Sequence, residues 1–337
     1  MTEAFRYRLP DGAAIVSEEA GVVKMSVTMP ADDSGHFGRQ CPDCERMFRI
    51  NAADYKALPD DQLLTCPYCC VVQLHTEYLT EQQKQRALAA VREYVLQQVK
   101  GSLNNTFNNL AQQSRSRGHA GVSVTYRASA DTEPDPLPPI DEESPIRERT
   151  CNRCSTRYAI FGEHIACPVC GPLPPGVVSR DALDAQEVAL AILEGLPTDF
   201  LNQLRESGAL ERTAAGTLGS VVSILETLLK QIFLDRVPGG DAMIAGKGNV
   251  FQRLDDISHL YRDHLDIDFP AALGASDWDR MRTLYGVRHL HTHANGVADA
   301  KYVAQFHDSV VGKRVNATFE DAREAIKLAR KVIGAVR

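Results

Sequence analysis

The densest group of side chains able to do chemistry lies between Arg288 and His293, where one arginine and three histidines occur within six residues. A histidine titrates close to neutral pH and can carry a proton, and an arginine presents a planar fork of donors to a phosphate. On a helix each residue advances about 100°, so His289 and His293 would share one face and His291 would point away. Arg288, His289 and His293 are therefore candidates for acting on a phosphodiester.

A helix is predicted to carry this group. Ser276 and Asp279 have the spacing of a capping box at its start, and Gly296, which follows Asn295, is typical of the residue just past a helix end. Apolar residues recur between them at helical spacing: Trp278, Met281, Leu284 and Tyr285. The segment should therefore bury one face and present the other to solvent.

This helix resembles a known signature. Arg288 and His293, followed by Ala-Asn-Gly-Val-Ala-Asp299, resemble the R-x4-6-H motif and its continuation in HEPN domains, a group of small helical domains that includes many ribonucleases. The resemblance covers residues 181–337. It implies a metal-independent RNA endonuclease that leaves 2′,3′-cyclic phosphate ends, with a composite active site at a homodimer interface. A role as a toxin or antiviral-defence effector is implied by the resemblance alone.

The chemistry expected of that family fits the residue types. His293 is the expected general base for the 2′-hydroxyl, Arg288 the expected clamp on the phosphate, and His289 an assisting or orienting group. Glu226 is a further candidate, because it lies at the edge of an apolar helix stripe and could orient an arginine or histidine on a neighbouring helix. Its alternative is a surface pair with Lys230, four residues on.

Cysteines supply the second chemistry. Eight of the nine form four C-x2-C hooks, which combine in chain order into two sets: Cys41, Cys44, Cys66 and Cys69, and Cys151, Cys154, Cys167 and Cys170. Such paired hooks are typical of closed, tetrahedral zinc sites with four cysteine ligands. We expect two structural Zn²⁺ ions per chain. Cys70 remains as a spare thiol, at the position that Gly171 occupies in the second set.

The zinc sites have a structural and a functional interpretation. A ribbon too small for its own core folds because the metal contributes the missing free energy, whereas some ribbons also bind nucleic acid or protein. Four cysteines leave no open coordination position for catalysis. His289 and His293 could instead be i, i+4 ligands of a catalytic metal, but no acidic residue stands between them as in H-E-x-x-H.

Composition limits the classes of function. The net charge of −7 gives no overall basic field for nucleic acid, so any such contact should be local, around Arg280, Arg282 and Arg288. The first residues are polar, and no run of about 18 apolar residues occurs. These features predict a cytoplasmic protein without a membrane partner, in which cysteines stay reduced and bind metal.

The expected fold class is multidomain: two four-cysteine zinc ribbons with small β elements and a long helix, followed by an all-α HEPN-like bundle. The predicted order is a short β region (1–36), ribbon 1 (37–79), a long amphipathic helix (80–117), a strand with a Pro-rich acidic linker (118–146), ribbon 2 (147–176) and the helical domain (181–337). Thr318 and Asp321 predict a second capping box, at the start of the last helix.

The long helix raises the question of partners. Seven apolar residues recur along it at steps of three and four: Leu88, Val91, Val95, Val99, Leu103, Phe107 and Leu110. Such a stripe should pack on the N-terminal strands or on a partner helix. Two functions are therefore kept open. One is the RNA endonuclease, with RNA as substrate and a regulatory protein partner. The alternative is a non-catalytic zinc-ribbon and HEPN adaptor that binds nucleic acid or a protein.

Overall fold

The chain folds into a strand-rich part that carries the cysteine clusters and a part built from helices alone. The structure is a computed structural model and describes residues 8–116, 133–143, 147–307 and 309–336. It divides into two units: the first comprises Met1–Phe161 and Ala166–Gly171, and the second Gly162–Ile165 and Pro172–Arg337. The strand predicted at Val122, Val124 and Tyr126 lies outside the described residues.

Short strands dominate the first unit. They are β1 (Ala13–Glu19), β2 (Val22–Val27), β3 (His36–Gln40), β4 (Met47–Asn51), β5 (Leu63–Thr65), β6 (Val72–Leu74), β7 (Glu148–Thr150), β8 (Arg157–Ile160), β9 (Ala166–Cys167) and β10 (Gly171–Pro172). Two helices, α1 (Ala52–Lys56) and α2 (Glu81–Ser116), and a 3-10 helix (His75–Tyr78) complete it. The predicted long helix corresponds to α2.

The two cysteine ribbons share one sheet. Its antiparallel strand order is β3-β4-β8-β7, and β4 of the first ribbon pairs with β8 of the second, Phe48 opposite Ile160 and Ile50 opposite Tyr158. All four side chains are buried. The sequence predicts two separate ribbons, but neither has enough apolar residues for its own core. Pairing β4 with β8 gives them a common one.

The predicted linker lies against the first unit over residues 133–143. The Arg86 guanidinium donates to the carbonyl oxygens of Leu137 and Pro138. The Gln82 side chain pairs with both main-chain groups of Asp141. Arg49 donates to the carbonyl of Glu142 at 2.7 Å. Residues 133–143 form neither helix nor strand, and hydrogen bonds between side chains of the first unit and the main chain of this segment hold it in place.

Helix α2 buries the side opposite to its predicted apolar stripe. Ala90, Tyr94 and Gln97 are buried, and the Gln97 side chain bonds the main chain of Arg8. The seven stripe residues named above are 44% to 66% exposed. The N-terminal strands β1 and β2 therefore do not cover the stripe.

Apart from Pro172 at the end of β10 and an isolated bridge between Val297 and Arg314, the regular elements in the described residues of the second unit are all helices. Its helices are α3 (Pro175–Glu194), α4 (Thr198–Glu206), α5 (Ala209–Arg236), α6 (Gly240–Ile244), α7 (Leu254–Leu265), α8 (Phe269–Leu273), α9 (Ala275–His293), α10 (Ala300–Phe306) and α11 (Phe319–Ala335). A 3-10 helix (Val250–Gln252) precedes α7.

Helix α5 forms the centre of this unit. Its residues Leu225, Leu229 and Phe233 are buried against α7, α9 and α11 in a single apolar core. Among the described residues, α5 is also the one helix long and apolar enough to cross a membrane by length and composition. The buried side chains of α5 are typical of a core helix. Because α5 is central, one face of α9 packs against it.

Local signals set some helix ends but not all. Thr318 and Asp321 form the predicted reciprocal capping box at the start of α11. The capping box predicted at Ser276 and Asp279 is wrong, because α9 begins after Gly274 without a side-chain cap. Gly274 has a φ of 90°, and this left-handed turn after α8 places the helix start one residue ahead of Ser276.

Candidate functional site

The structure brings the eight predicted cysteines into two four-sulfur groups. In the first, Cys41 and Cys69 have their sulfurs 3.6 Å apart, as do Cys44 and Cys66. In the second, the sulfurs of Cys151 and Cys170 are 3.4 Å apart. All four atoms of each group lie within 4.8 Å of one another. A tetrahedral ion with metal–sulfur bonds of about 2.3 Å requires sulfurs about 3.8 Å apart. Each group can therefore hold one metal ion.

Each hook also has a backbone turn suited to metal binding. The amides of Asp43 and Cys44 approach the sulfur of Cys41 at 3.4 Å, and the amide of Arg153 approaches Cys151 at the same distance. These amides stabilise thiolate charge. Burial acts to raise the pKa of Cys154, but hydrogen bonds with Thr156 outweigh it and lower that pKa to about 7.

The residue after each hook has a left-handed backbone, which the sequence analysis did not identify. The φ angles are 59° at Glu45, 61° at Cys70, 60° at Ser155 and 81° at Gly171. Glycine adopts this conformation without strain, whereas a residue with a side chain does not. Cys70 belongs to neither sulfur group. It follows Cys69 as the residue that closes the turn of its hook, not as a metal ligand.

The arginine and histidine helix borders an open cleft in the second unit. This cleft, called the α9 cleft, has a volume of about 380 Å³ and lies between α9, α10 and the start of α7. Arg288 and His289 both line it, together with Arg282, Tyr285, Lys301 and Phe306. His293 does not line it. The predicted phosphate clamp, Arg288, therefore lines this cavity, whereas the predicted base, His293, does not.

Three buried polar atoms of residues that line the cleft make no hydrogen bond among the described residues: the Nε atoms of Arg282 and Arg288 and the hydroxyl of Tyr285. The Nε of Arg282 lies 3.2 Å from a carboxylate oxygen of Asp255, which leaves Arg288 and Tyr285 as the pair without such a partner. Burial raises the pKa of Tyr285, and the charge of Glu226 acts in the same direction, whereas Arg288 opposes it. Buried polar groups are rarely left unsatisfied, so this pair marks a place where a polar ligand would complete the site.

The histidines occupy distinct environments. His289 and His293 share one face of α9, as predicted, and their rings are tilted by 49° with centroids 4.7 Å apart. Partial burial lowers the pKa of His289, and the neighbouring charges of His293, Lys301 and Arg288 lower it further. These effects favour the neutral form of His289. His291 points away, as predicted, and its Nε2 lies 2.9 Å from the carbonyl of Val315.

Acidic and basic residues at the cleft are mostly paired with each other. Arg282 pairs with Asp255 at 3.2 Å, and Arg253 with Asp256 at 2.6 Å. Among the described residues, Arg288 makes no such ion pair. Arg280, which the sequence also favoured for nucleic-acid contact, is bound to Asp321 and Glu324 at 2.6 and 2.7 Å. Arg288 is consequently the arginine whose charge is available to a ligand.

Glu226 lies beside the cleft rather than in a surface pair. It accepts a hydrogen bond from the Gln252 side chain at 2.8 Å, and Gln252 lines the cleft. Among the described residues, Glu226 makes no ion pair with Lys230. The carboxylate therefore fixes a cleft residue and contributes negative charge near Tyr285.

An aromatic wall closes the other side of the cleft. Tyr302 and Phe306 of α10 have ring centroids 4.9 Å apart, and they pack against Gly286 of α9. A Cβ atom at residue 286 would lie 2.8 Å from the Cζ of Phe306. Lys301 and Phe306 could not be assigned to this site from the sequence, because they become neighbours of Arg288 only through the turn at Asn295 and Gly296 that folds α10 back on α9. Gly286 lies on α9 itself, but its contact with Phe306 depends on the same turn.

Comparison with known proteins does not add to this description of the site. No protein-family model matches the chain, and neither a curated protein nor a solved structure matches it.

Proposed function

We propose that this protein is a metal-independent RNA endonuclease of the HEPN type and that its active site includes the α9 cleft. The observation that carries the proposal is the pair of buried polar atoms on Arg288 and Tyr285 that lack hydrogen bonds among the described residues, beside His289, a histidine whose pKa is lowered by burial. A phosphate bound there would accept hydrogen bonds from both atoms. The resemblance of the α9 sequence to the R-x4-6-H motif supports the same reaction.

The reaction follows from the chemistry of RNA. A neutral histidine removes the proton of the 2′-hydroxyl, and the 2′-oxygen attacks the adjacent phosphorus. The bond from phosphorus to the 5′-oxygen breaks, and that oxygen takes up a proton from a protonated histidine. Arg288 binds the non-bridging oxygens, whose negative charge grows in the transition state. The products are a 2′,3′-cyclic phosphate and a 5′-hydroxyl end.

The two histidines divide these roles. The HEPN resemblance favours His293 as the base, but His289 lines the cleft that holds Arg288. For a phosphate in this cleft we propose His289 as the base, with His293, one helical turn further along α9, as the proton donor or as a contribution to a composite site. The HEPN resemblance implies that such a site forms between two subunits, so the helical unit is expected to dimerise.

The decisive experiment incubates the full chain with single-stranded RNA in a chelator and identifies the products by mass. Cleavage with cyclic phosphate ends is expected. Arg288→Ala should abolish it, and Arg262→Ala, which removes an exposed arginine of α7, is the matched control. Uncut RNA with folded, dimeric protein would contradict the proposal and favour the adaptor alternative. The role in toxin or defence systems rests on the resemblance alone.

We also propose that zinc occupies both four-sulfur groups and stabilises the fold of the first unit. Thiolates in tetrahedral sets of four are typical zinc ligands, and the sulfur spacings fit them. Elemental analysis of reduced protein should find two zinc ions per chain. One ion or none would contradict this assignment.

The adaptor function has one observation in its favour. The apolar stripe of α2 is exposed on the first unit, and exposed apolar surface of this extent is typical of protein interaction sites. A protein that binds RNA without cutting it would agree with this function.

A further inference from the structure

The exposed stripe of α2 has an internal symmetry. Its seven residues are separated by steps of three, four, four, four, four and three. This order reads the same in both directions, with Val99 at its centre. Leu88 is therefore as far from Val99 as Leu110 is, and Val95 as far as Leu103. A helix with such a stripe is complementary to an antiparallel copy of itself.

We propose that α2 pairs with α2 of a second copy of this chain, antiparallel, about a two-fold axis close to Val99. In this arrangement Val99 of one copy faces Val99 of the other. Leu88 then faces Leu110, Val91 faces Phe107, and Val95 faces Leu103 of the second copy. Each pair consists of residues that are 44% to 66% exposed in the single chain.

Helix geometry agrees with this pairing. The stripe covers 22 residues in six steps, between Leu88 and Leu110, or about 3.7 residues per turn, close to the 3.6 of a straight helix. Two such helices can stay in contact over about 33 Å with little supercoiling. The side of α2 that carries Ala90 and Tyr94 is buried in its own unit, so the stripe lies on the outer side of the helix.

Charge selects the antiparallel orientation. Six of the seven charged residues of α2 lie between Glu81 and Lys100, the seventh is Arg115 near its end, and the helix has none between Ser102 and Ser114. Arg92 falls within the stripe, about two turns before Val99. A parallel pair would place Arg92 against itself, and like charges in contact repel. The antiparallel pair places Arg92 beside Thr106, and it places the charged part of each helix against the uncharged part of the other.

This interface is independent of the proposed ribonuclease site. It uses residues of the first unit alone, and it would stand if the α9 cleft proved inactive. The α2 interface is thus a second interface between copies of the chain, in addition to the dimer interface that the HEPN resemblance implies for the helical unit.

Cysteine cross-linking of the full chain tests the pairing and its direction. In a Cys70→Ser background, Val99→Cys should form a cross-linked dimer under mild oxidation. Leu88→Cys and Leu110→Cys chains should cross-link when mixed, and neither should do so alone. The background chain and Asn105→Cys, an exposed position away from the stripe, are controls that should remain uncross-linked.

A second variant tests whether the cross-link depends on the apolar contact between the two helices. Val95→Glu in the Val99→Cys chain should lower the yield of cross-linked dimer by at least about tenfold, since it buries an unpaired charge at the interface. Asn105→Glu should leave the yield unchanged. Absence of the Val99 cross-link, or cross-linking of Leu88→Cys with itself, would overturn the proposal. A monomer in which the stripe is protected from solvent would overturn it as well, because the chain itself would then cover the stripe.

Discussion

The imidazole rings of His289 and His293 lie one helical turn apart with centroids 4.7 Å from each other, but only His289 lines the cleft that contains Arg288. Partial burial lowers the pKa of His289, and the charge of His293 acts in the same direction. The neutral form, which a general base requires, is thereby favoured at His289.

The first prediction concerns these two histidines. His289→Ala should lower the rate of RNA cleavage by a factor on the order of 10²–10⁴, the usual loss on removing a general base. The double variant with His293→Ala should be little worse, because the two rings act as a unit. Single-turnover rates would show this, with His259→Ala on α7 as the matched control. If only His293→Ala removes activity, the base is His293, as its sequence position suggests.

The second prediction concerns arginine chemistry. The Arg288→Lys variant should not cleave RNA, because the lysine ammonium keeps the positive charge but not the two-pronged contact of the guanidinium with phosphate. Folding should survive, since Arg288 makes no ion pair among the described residues. Circular dichroism and the rate of cleavage measure the two effects separately. Full activity with lysine would show that charge alone is needed.

The third prediction concerns pH. Burial and the charges of His293, Lys301 and Arg288 lower the pKa of His289 from its ordinary value of 6.5. A general base acts when neutral, so cleavage should persist to a lower pH than a histidine of ordinary pKa would allow. Lys301→Glu removes one cation and adds an anion, so it should raise this pKa and move the acid limb to higher pH.

Nuclear magnetic resonance titration of the His289 ring, together with the pH–rate profile, measures both changes. Lys327→Glu, on an exposed site of α11, makes the same charge change elsewhere and should leave the profile in place. An acid limb that does not move with Lys301→Glu would assign the limb to another group.

The fourth prediction concerns the aromatic wall. Gly286→Ala places a Cβ 2.8 Å from the Phe306 Cζ, so α10 must shift, and we expect a destabilisation of about 1–3 kcal/mol together with slower cleavage. Phe306→Ala in the same chain should recover much of the stability, because the clash disappears. Thermal unfolding of the single and double variants tests this. Additive losses would mean that Gly286 and Phe306 are not coupled.

The fifth prediction concerns Cys70. Its left-handed backbone, with a φ of 61°, costs about 1 kcal/mol for a residue with a side chain. Cys70→Gly should stabilise the first unit by about that amount and leave the metal content unchanged. Chemical denaturation and elemental analysis are the measurements. Loss of metal in this variant would make Cys70 a ligand, against its place outside both sulfur groups.

Features that depend on neighbours along the chain could be predicted from the amino-acid order. The C-x2-C hooks predict their own tight turns, so all eight cysteines were found without knowledge of the fold. Helical periodicity placed His289 over His293 and turned His291 away, and Thr318 with Asp321 marked the start of α11. Each of these arrangements follows from backbone geometry over three to five residues.

Features that join distant segments became visible only in the folded chain. The pairing of β4 with β8 merges two ribbons that are about a hundred residues apart in the sequence, and no local pattern specifies it. The α9 cleft likewise depends on how α10 and the start of α7 fold against α9, which brings Lys301, Phe306 and Gln252 beside Arg288. Such contacts arise from burial of apolar faces on a common core, and burial is a property of the whole chain rather than of any one segment.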